Sequence, residues 1–90
     1  MNGYSVETTP IFDNQIRKLD KFEARLILTW LNDKINHSVN PRDYGKALVG
    51  NYTGHWRYRV GDYRIICHID DDRLIVLALE TGHRKDVYTK

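Results

Sequence analysis

One cysteine, two prolines and no apolar run longer than six residues leave this 90-residue sequence few options beyond a single small domain. With Cys67 alone, no intrachain disulfide can form. Its setting in Ile65-Ile66-Cys67 reads as a small buried hydrophobe rather than a nucleophile. The longest apolar run, Leu74 to Leu79, falls far short of the roughly 20 residues a membrane-spanning helix needs. Met1-Asn2-Gly3-Tyr4 has neither the basic nor the apolar region of a secretory signal, so a cytoplasmic protein is expected. Repeats, linkers and low-complexity stretches are also missing. At 41% hydrophobic and 29% charged residues, the composition suits one core spanning residues 1–90, with a thin margin of stability.

Net charge is scarce as well, at +2, but it is unevenly spread. Residues 1–40 balance five basic against five acidic side chains. Residues 41–64 carry a surplus of three positive charges, residues 65–82 a surplus of three negative ones, and residues 83–90 a surplus of two positive. Two basic segments therefore stand out, and function depends on whether they meet in space.

The pattern along the chain is informative. Tyr4 to Thr8 alternates as a half-buried strand does. Thr9-Pro10 is a helix start, with a hydroxyl at the N-cap and proline at the first helical position. Ile11, Phe12, Ile16 and Leu19 then fall on one side of that helix. Asp20, with Glu23 three residues on, resembles a capping box and opens a second helix. Its apolar stripe is Phe22, Leu26, Ile27, Trp30, Leu31 and Ile35, and Trp30 is assigned to core or partner contact rather than chemistry. Asn36 to Gly54 reads as an irregular connection with one helical turn near Pro41–Tyr44. Strands are predicted at Trp56–Val60 and Tyr63–Asp70, joined by the two-residue turn Gly61-Asp62, and at Leu74–Leu79, apolar on both faces as a central strand is. The expected fold is α+β in the order β-α-α-β-β-β: a helical hairpin packed on a small, mainly antiparallel twisted sheet.

Counting outward from Gly61-Asp62 pairs Val60 with Tyr63, Arg59 with Arg64, Tyr58 with Ile65 and Arg57 with Ile66. Opposed residues share a face and side chains alternate along each strand. Arg57, Arg59 and Arg64 therefore project from one side, and Trp56, Tyr58, Val60, Tyr63 and Ile65 from the other. Three guanidiniums on one face are tolerable if splayed into solvent, paired with carboxylates, or reserved for an anion. The planar fork of arginine suits phosphate better than lysine does. Tyr44, Tyr52 and Tyr88 are candidates for stacking on bases. If the last strand pairs antiparallel with Tyr63–Asp70, its C-terminal end lies beside Arg64. That would bring His83, Arg84, Lys85 and Tyr88 close by, although a frayed, solvated terminus is the plainer reading of each.

The string Trp56-Arg57-Tyr58-Arg59-Val60-Gly61-Asp62-Tyr63-Arg64-Ile65-Ile66 closely resembles the central hairpin of the RelE/ParE toxin superfamily. The ending Gly82-His83-Arg84-Lys85-Asp86-Val87-Tyr88 looks like the RelE-type close, and Asn40-Pro41-Arg42 and Gly45-Lys46-Ala47-Leu48 fit the same pattern. The resemblance implies the toxin of a type II toxin–antitoxin system: a ribosome-dependent endoribonuclease that cuts messenger RNA in the A site without a metal or other cofactor. It implies attack of a ribose 2′-hydroxyl on the adjacent phosphodiester. Arg57 and Arg59 would grip the messenger backbone, with Lys46 and Lys85 as further contacts. Arg64 would sit at the scissile phosphate, with Arg84 as the second catalytic arginine. Tyr88 would activate the nucleophile or stack on a base. His83 is a candidate proton carrier, at a position where the best-known member has lysine; that member also has a basic residue at the position of Val49. The implied partners are a cognate antitoxin and the ribosome with its messenger and 16S rRNA. Operator DNA would be met only through the antitoxin, and no membrane is implied. A ParE-like inhibitor of DNA gyrase that acts by protein binding shares the fold, and a non-catalytic RNA-binding module would use the same basic face.

Overall fold

Two side-chain caps start the helical layer. Thr9 Oγ1 accepts from the backbone N–H of Phe12 at 3.1 Å, and Pro10 takes the first position of α1 (Pro10–Lys18). Asp20 Oδ1 accepts from the N–H of Glu23 at 2.9 Å and opens α2 (Lys21–Trp30). Each cap satisfies a donor that a helix N-terminus leaves without an intrahelical partner. Glu23 itself turns toward the sheet, where its carboxylate accepts from the Tyr63 hydroxyl. That bond is the chief reason the Tyr63 phenol is pushed up to about 12. α2 continues into a π-helical turn, Leu31–Ile35, closed by the Asn36 N–H on the Leu31 carbonyl at 2.9 Å.

The computed structural model describes residues 3–83, and within them the strands are β1 (Ser5–Thr8), β2 (Lys46–Ala47), β3 (Trp56–Val60), β4 (Tyr63–Asp70) and β5 (Ile75–His83). They form one sheet in the order β1-β5-β4-β3-β2. β1 runs parallel to β5 and the other pairs are antiparallel. The expected α+β architecture is found, with two differences. The connection read as irregular contains the short strand β2, which reaches β3 because Gly45 has φ +77° and no side chain; a Cβ there would lie 2.0 Å from the Arg57 carbonyl oxygen. The last strand also runs past Leu79 to His83.

One face of the sheet meets the helices. Phe12, Ile27, Leu31 and Ile35 pack against Tyr58, Val60, Ile65, Cys67, Val76 and Ala78. Trp30 is half-buried and lies on Tyr58, with ring centroids 5.3 Å apart. The expected stripe on α2 is narrower than its sequence suggested. Ile27, Leu31 and Ile35 recur every four residues along the line of contact. Phe22 and Leu26 lie on a line one residue earlier, roughly 100° around the helix, and are exposed. Ile11 is exposed for the same reason, beside fully buried Phe12. Tyr58 carries its hydroxyl into the core and donates it to the Pro41 carbonyl at 2.8 Å, pinning the loop before β2. Burial pushes the Cys67 thiol far up, so it is inert in the folded chain.

One irregularity sets the chemistry of the outer face. Between β4 and β5 the register runs Arg64↔Gly82, Ile65↔Thr81 and Ile66↔Glu80, then jumps to Cys67↔Ala78. Leu79 is the extra residue, a β-bulge. It lies where β1 ends: Thr9 donates its N–H to the Ala78 carbonyl at 3.1 Å and its hydroxyl to the Leu79 carbonyl at 2.7 Å. A one-residue insertion inverts which side chains face the core. Before it, Val76 and Ala78 are buried; after it, Thr81 is, held by Gln15 of α1 accepting its N–H at 2.7 Å. Glu80 and Gly82 are thereby turned to the side away from the helices.

Candidate polyanion-binding face

The outer face is built in three cross-strand rows. The hairpin register counted from the Gly61-Asp62 turn is the observed one, Arg57↔Ile66 and Arg59↔Arg64. Extending it across the sheet gives a first row of Arg59, Arg64 and Gly82. The second row is Lys46, Arg57, Ile66 and Glu80. In the third row stand His55, His68, Leu77 and Glu7. His68 and Leu77 are paired, as are Leu77 and Glu7, and the His55 and His68 rings lie 6.4 Å apart. Neighbours within a row are about 5 Å apart, and successive rows on one face about 7 Å. Four cations, Arg57, Arg59, Arg64 and Lys46, therefore share an area about the size of one or two nucleotides.

These cations do not all stand freely in solvent. Arg59 and Lys46 are exposed, whereas Arg57 and Arg64 are half-buried. Arg57 Nε and Arg64 Nε and Nη1 are shut off from water, and Arg57 Nε has no hydrogen-bond partner among the described residues. Ile66 explains the posture. It projects to this open face yet is only 1% exposed. By register its surroundings are Arg57 and Glu80 across the strands and Arg64 and His68 along its own. Arginine stems can lie along apolar surface, and Arg57 and Arg64 are placed by register to do so beside Ile66. A buried, unpartnered guanidinium N–H is costly to leave empty, and an anion seated over Ile66 would relieve it.

The expected site residues divide accordingly. Arg57, Arg59, Arg64 and Lys46 come together on one face. Arg84, Lys85 and Tyr88 lie outside the described residues. His83 does not join the group: it pairs with Tyr63 on the helix side, rings 5.7 Å apart and edge to face. Sequence reading placed it in a tail beside Arg64, but the Leu79 bulge reverses its phase within β5. Tyr44, a candidate for base stacking, is exposed and also has contacts within the fold. Its ring lies edge-on to Trp30 at 5.9 Å, and its carbonyl accepts from Trp56 Nε1 at 2.6 Å. Three groups on the face were missed. Continuing the hairpin count two steps would have found His55 and His68. Glu80 could not be found that way, because no sequence signal marks the bulge.

A cleft of about 160 Å³ opens elsewhere, lined by Arg42, Ala47, Gly54, His55, Trp56 and Ile69. Its guanidinium, Arg42, lies 6.0 Å over the Trp56 ring and already holds Asp71 by two bonds of 2.9 and 3.1 Å. It is the weaker anion site.

Comparison with known proteins identifies the family and the fold. Residues 6–88 match the sequence model of the family described as ParE toxin of type II toxin–antitoxin system, parDE. The chain belongs to the RelE/ParE toxin superfamily. Toxin RelG of Mycobacterium tuberculosis is 36% identical over 53 residues, which cover 59% of this chain. The match spans 61% of RelG, less than two-thirds of that protein's length. Among solved structures, a RelBE toxin–antitoxin complex from M. tuberculosis is similar at TM-score 0.84 and 27% identity, covering 96% of this chain and 97% of that one. A mutant of E. coli toxin RelE in the free state matches at TM-score 0.74 and 17% identity, covering 97% and 88%. The two helices on a five-stranded mixed sheet are thus the RelE-type toxin fold, and Arg57, Arg59, Arg64 and Lys46 share its face away from the helices.

Proposed function

We propose that this RelE-type toxin is a cytoplasmic endoribonuclease that cuts messenger RNA in the ribosomal A site, held inactive by a cognate antitoxin. The observation that supports it most directly is the row geometry: Arg59 opposite Arg64 and Lys46 opposite Arg57, with the half-buried Arg57 head short of a hydrogen-bond partner among the described residues. Such an array is preorganised for a phosphodiester. In the proposed reaction the ribose 2′-oxygen attacks the adjacent phosphorus and the bond to the 5′-oxygen breaks, leaving a cyclic phosphate. The pentacovalent transition state gathers negative charge on its equatorial oxygens, and fixed guanidiniums stabilise that charge more than the ground state's. Arg64 is assigned to the scissile phosphate and Arg57, Arg59 and Lys46 to the flanking backbone. Arg84, Lys85 and Tyr88 complete the site under this proposal.

The test is to induce the chain and map messenger 5′ ends. New ends inside translated codons are expected, and Arg64→Ala is expected to remove them while urea unfolding shows the variant still folded. The family description of the matching sequence model carries the name ParE, which favours a second reading, inhibition of DNA gyrase. Intact messages with gyrase-linked DNA breaks would replace the first reading with the second.

A further inference from the structure

Resting on the ribonuclease reading, we propose that Glu80 is the proton acceptor of this site. His83 is on the helix side, so the face has no proton carrier from the expected set among the described residues. The Leu79 bulge supplies another. It turns Glu80 outward, in line with Ile66, Arg57 and Lys46. Arg64 pairs with Gly82, which makes Glu80 its diagonal neighbour on the adjacent strand, about 7 Å away between backbones and within reach of two long side chains. Gly82 contributes no side chain, so among the described residues none from β5 stands between Arg64 and the carboxylate. Glu80 is half-buried and makes no salt bridge or side-chain hydrogen bond among the described residues. Its charged neighbours on the face are Arg64 on β4, Arg57 on β3 and Lys46 on β2. Among the described residues, a carboxylate on the same face is Glu7 on β1, one row away. His68 is the competing proton carrier, but it lies two rows from Arg64, about 13 Å along the strand.

The role follows from the chemistry. A phosphate gripped by Arg64 and Arg57 brings its ribose over Gly82. The Glu80 carboxylate takes the 2′-hydroxyl proton as the O2′–P bond forms and the P–O5′ bond breaks. The departing 5′-oxygen takes a proton from water, and Glu80 returns its own to solvent. The products are a 2′,3′-cyclic phosphate and a 5′-hydroxyl, and no other reactant is consumed.

Single-turnover cleavage of messenger on programmed ribosomes tests this, with the full chain and its Glu80→Gln and Glu80→Asp variants. The Gln variant keeps the shape and loses the acceptor. Its rate is expected to fall by about 10²–10⁴, while its affinity for the complex stays the same or tightens, since a negative charge has left a basic face. The wild-type rate should rise with pH to a plateau. Glu80→Asp should keep that limb at a reduced rate, and Glu80→Gln should lose it. Urea unfolding checks that the variants are folded. A folded Glu80→Gln that cleaves at the wild-type rate or faster overturns the proposal and leaves Glu80 as a charge offset. Loss of rate with the pH limb retained in the Gln variant also overturns it. If wild type cleaves nothing while Arg64→Ala relieves toxicity through gyrase, the ribonuclease reading fails and this proposal goes with it.

Discussion

Arg59 and Arg64 face each other across the hairpin, which gives the arginine face a measurable cost in stability. Two unit charges about 7 Å apart repel by about 0.6 kcal/mol in bulk water, and by about 2.4 kcal/mol at the effective dielectric of a protein surface. Opposed like charges in strands typically cost 0.2 to about 1 kcal/mol, and Arg57 adds a diagonal term on the same face. Arg59 is exposed, so Arg59→Gln removes its charge and keeps most of its stem. That variant is expected to be more stable than wild type by about 0.5–1 kcal/mol at low salt. In a domain of this size it corresponds to several degrees in Tm. Arg59→Glu, which turns repulsion into attraction, should exceed it. The Debye length shrinks from about 10 Å at 0.1 M salt to about 3 Å at 1 M, so the three proteins should converge in high salt. Polyanions should raise the Tm of wild type more than that of either variant, because binding to the folded state stabilises it by mass action. The assay is urea unfolding of all three at low and high sodium chloride, with and without a short RNA. A destabilised Arg59→Gln, or a stabilisation indifferent to salt, would refute the placement of these charges.

Three further outcomes follow from groups away from that face. Tyr58→Phe leaves the Pro41 carbonyl without its donor inside the core and should cost about 1–2 kcal/mol, read as a lower urea midpoint at unchanged slope. Cys67 should resist thiol reagents in the native state and label only at the rate of unfolding; rapid labelling without denaturant would contradict its burial. Asp71, which accepts from Arg42 and from the Tyr4 hydroxyl at 2.6 Å, is held below the usual carboxylate range chiefly by Arg42. A depressed carboxyl stabilises the fold above its unfolded value, about 3.9, and that contribution is lost as pH falls through the lower folded one. Asp71→Asn should therefore flatten the acid limb of stability, and an unchanged limb would show the pair to be idle, as exposed pairs often are.

Local rules made much of this fold legible. Thr9 and Asp20 announced the helix starts because capping chemistry spans only three residues. Gly61-Asp62 fixed the β3–β4 register because a two-residue turn leaves no freedom in counting outward. What escaped was decided over longer distances. β2 exists because Gly45 lets one backbone lie against another, a contact that no pattern within β2 encodes. Phe22 and Ile11 read as core because periodicity reports an apolar arc, whereas the sheet beneath covers only part of it. The bulge at Leu79 was invisible because it answers to β1, whose end is tied to Ala78 and Leu79 through Thr9, some seventy residues earlier. A single unsignalled residue moved His83 off the face and Glu80 onto it.

The division of labour between the two sides of the sheet is not complete, and Ile66 is where they meet. In β4 three consecutive residues, Ile65, Ile66 and Cys67, are buried. Alternation allows that only if the strand has cover on both sides, and above Ile66 the described neighbours able to provide it are chiefly the stems of the arginines themselves. A stem lying over Ile66 would be held by apolar contact and would sample fewer rotamers than in water. Guanidiniums fixed in this way lose less freedom when an anion arrives, so more of their attraction is left to stabilise charge that develops later in a reaction. Repulsion between Arg59 and Arg64 opposes the fold, and Arg57 Nε, buried and without a hydrogen-bond partner among the described residues, is the position where an incoming phosphate has the most to gain.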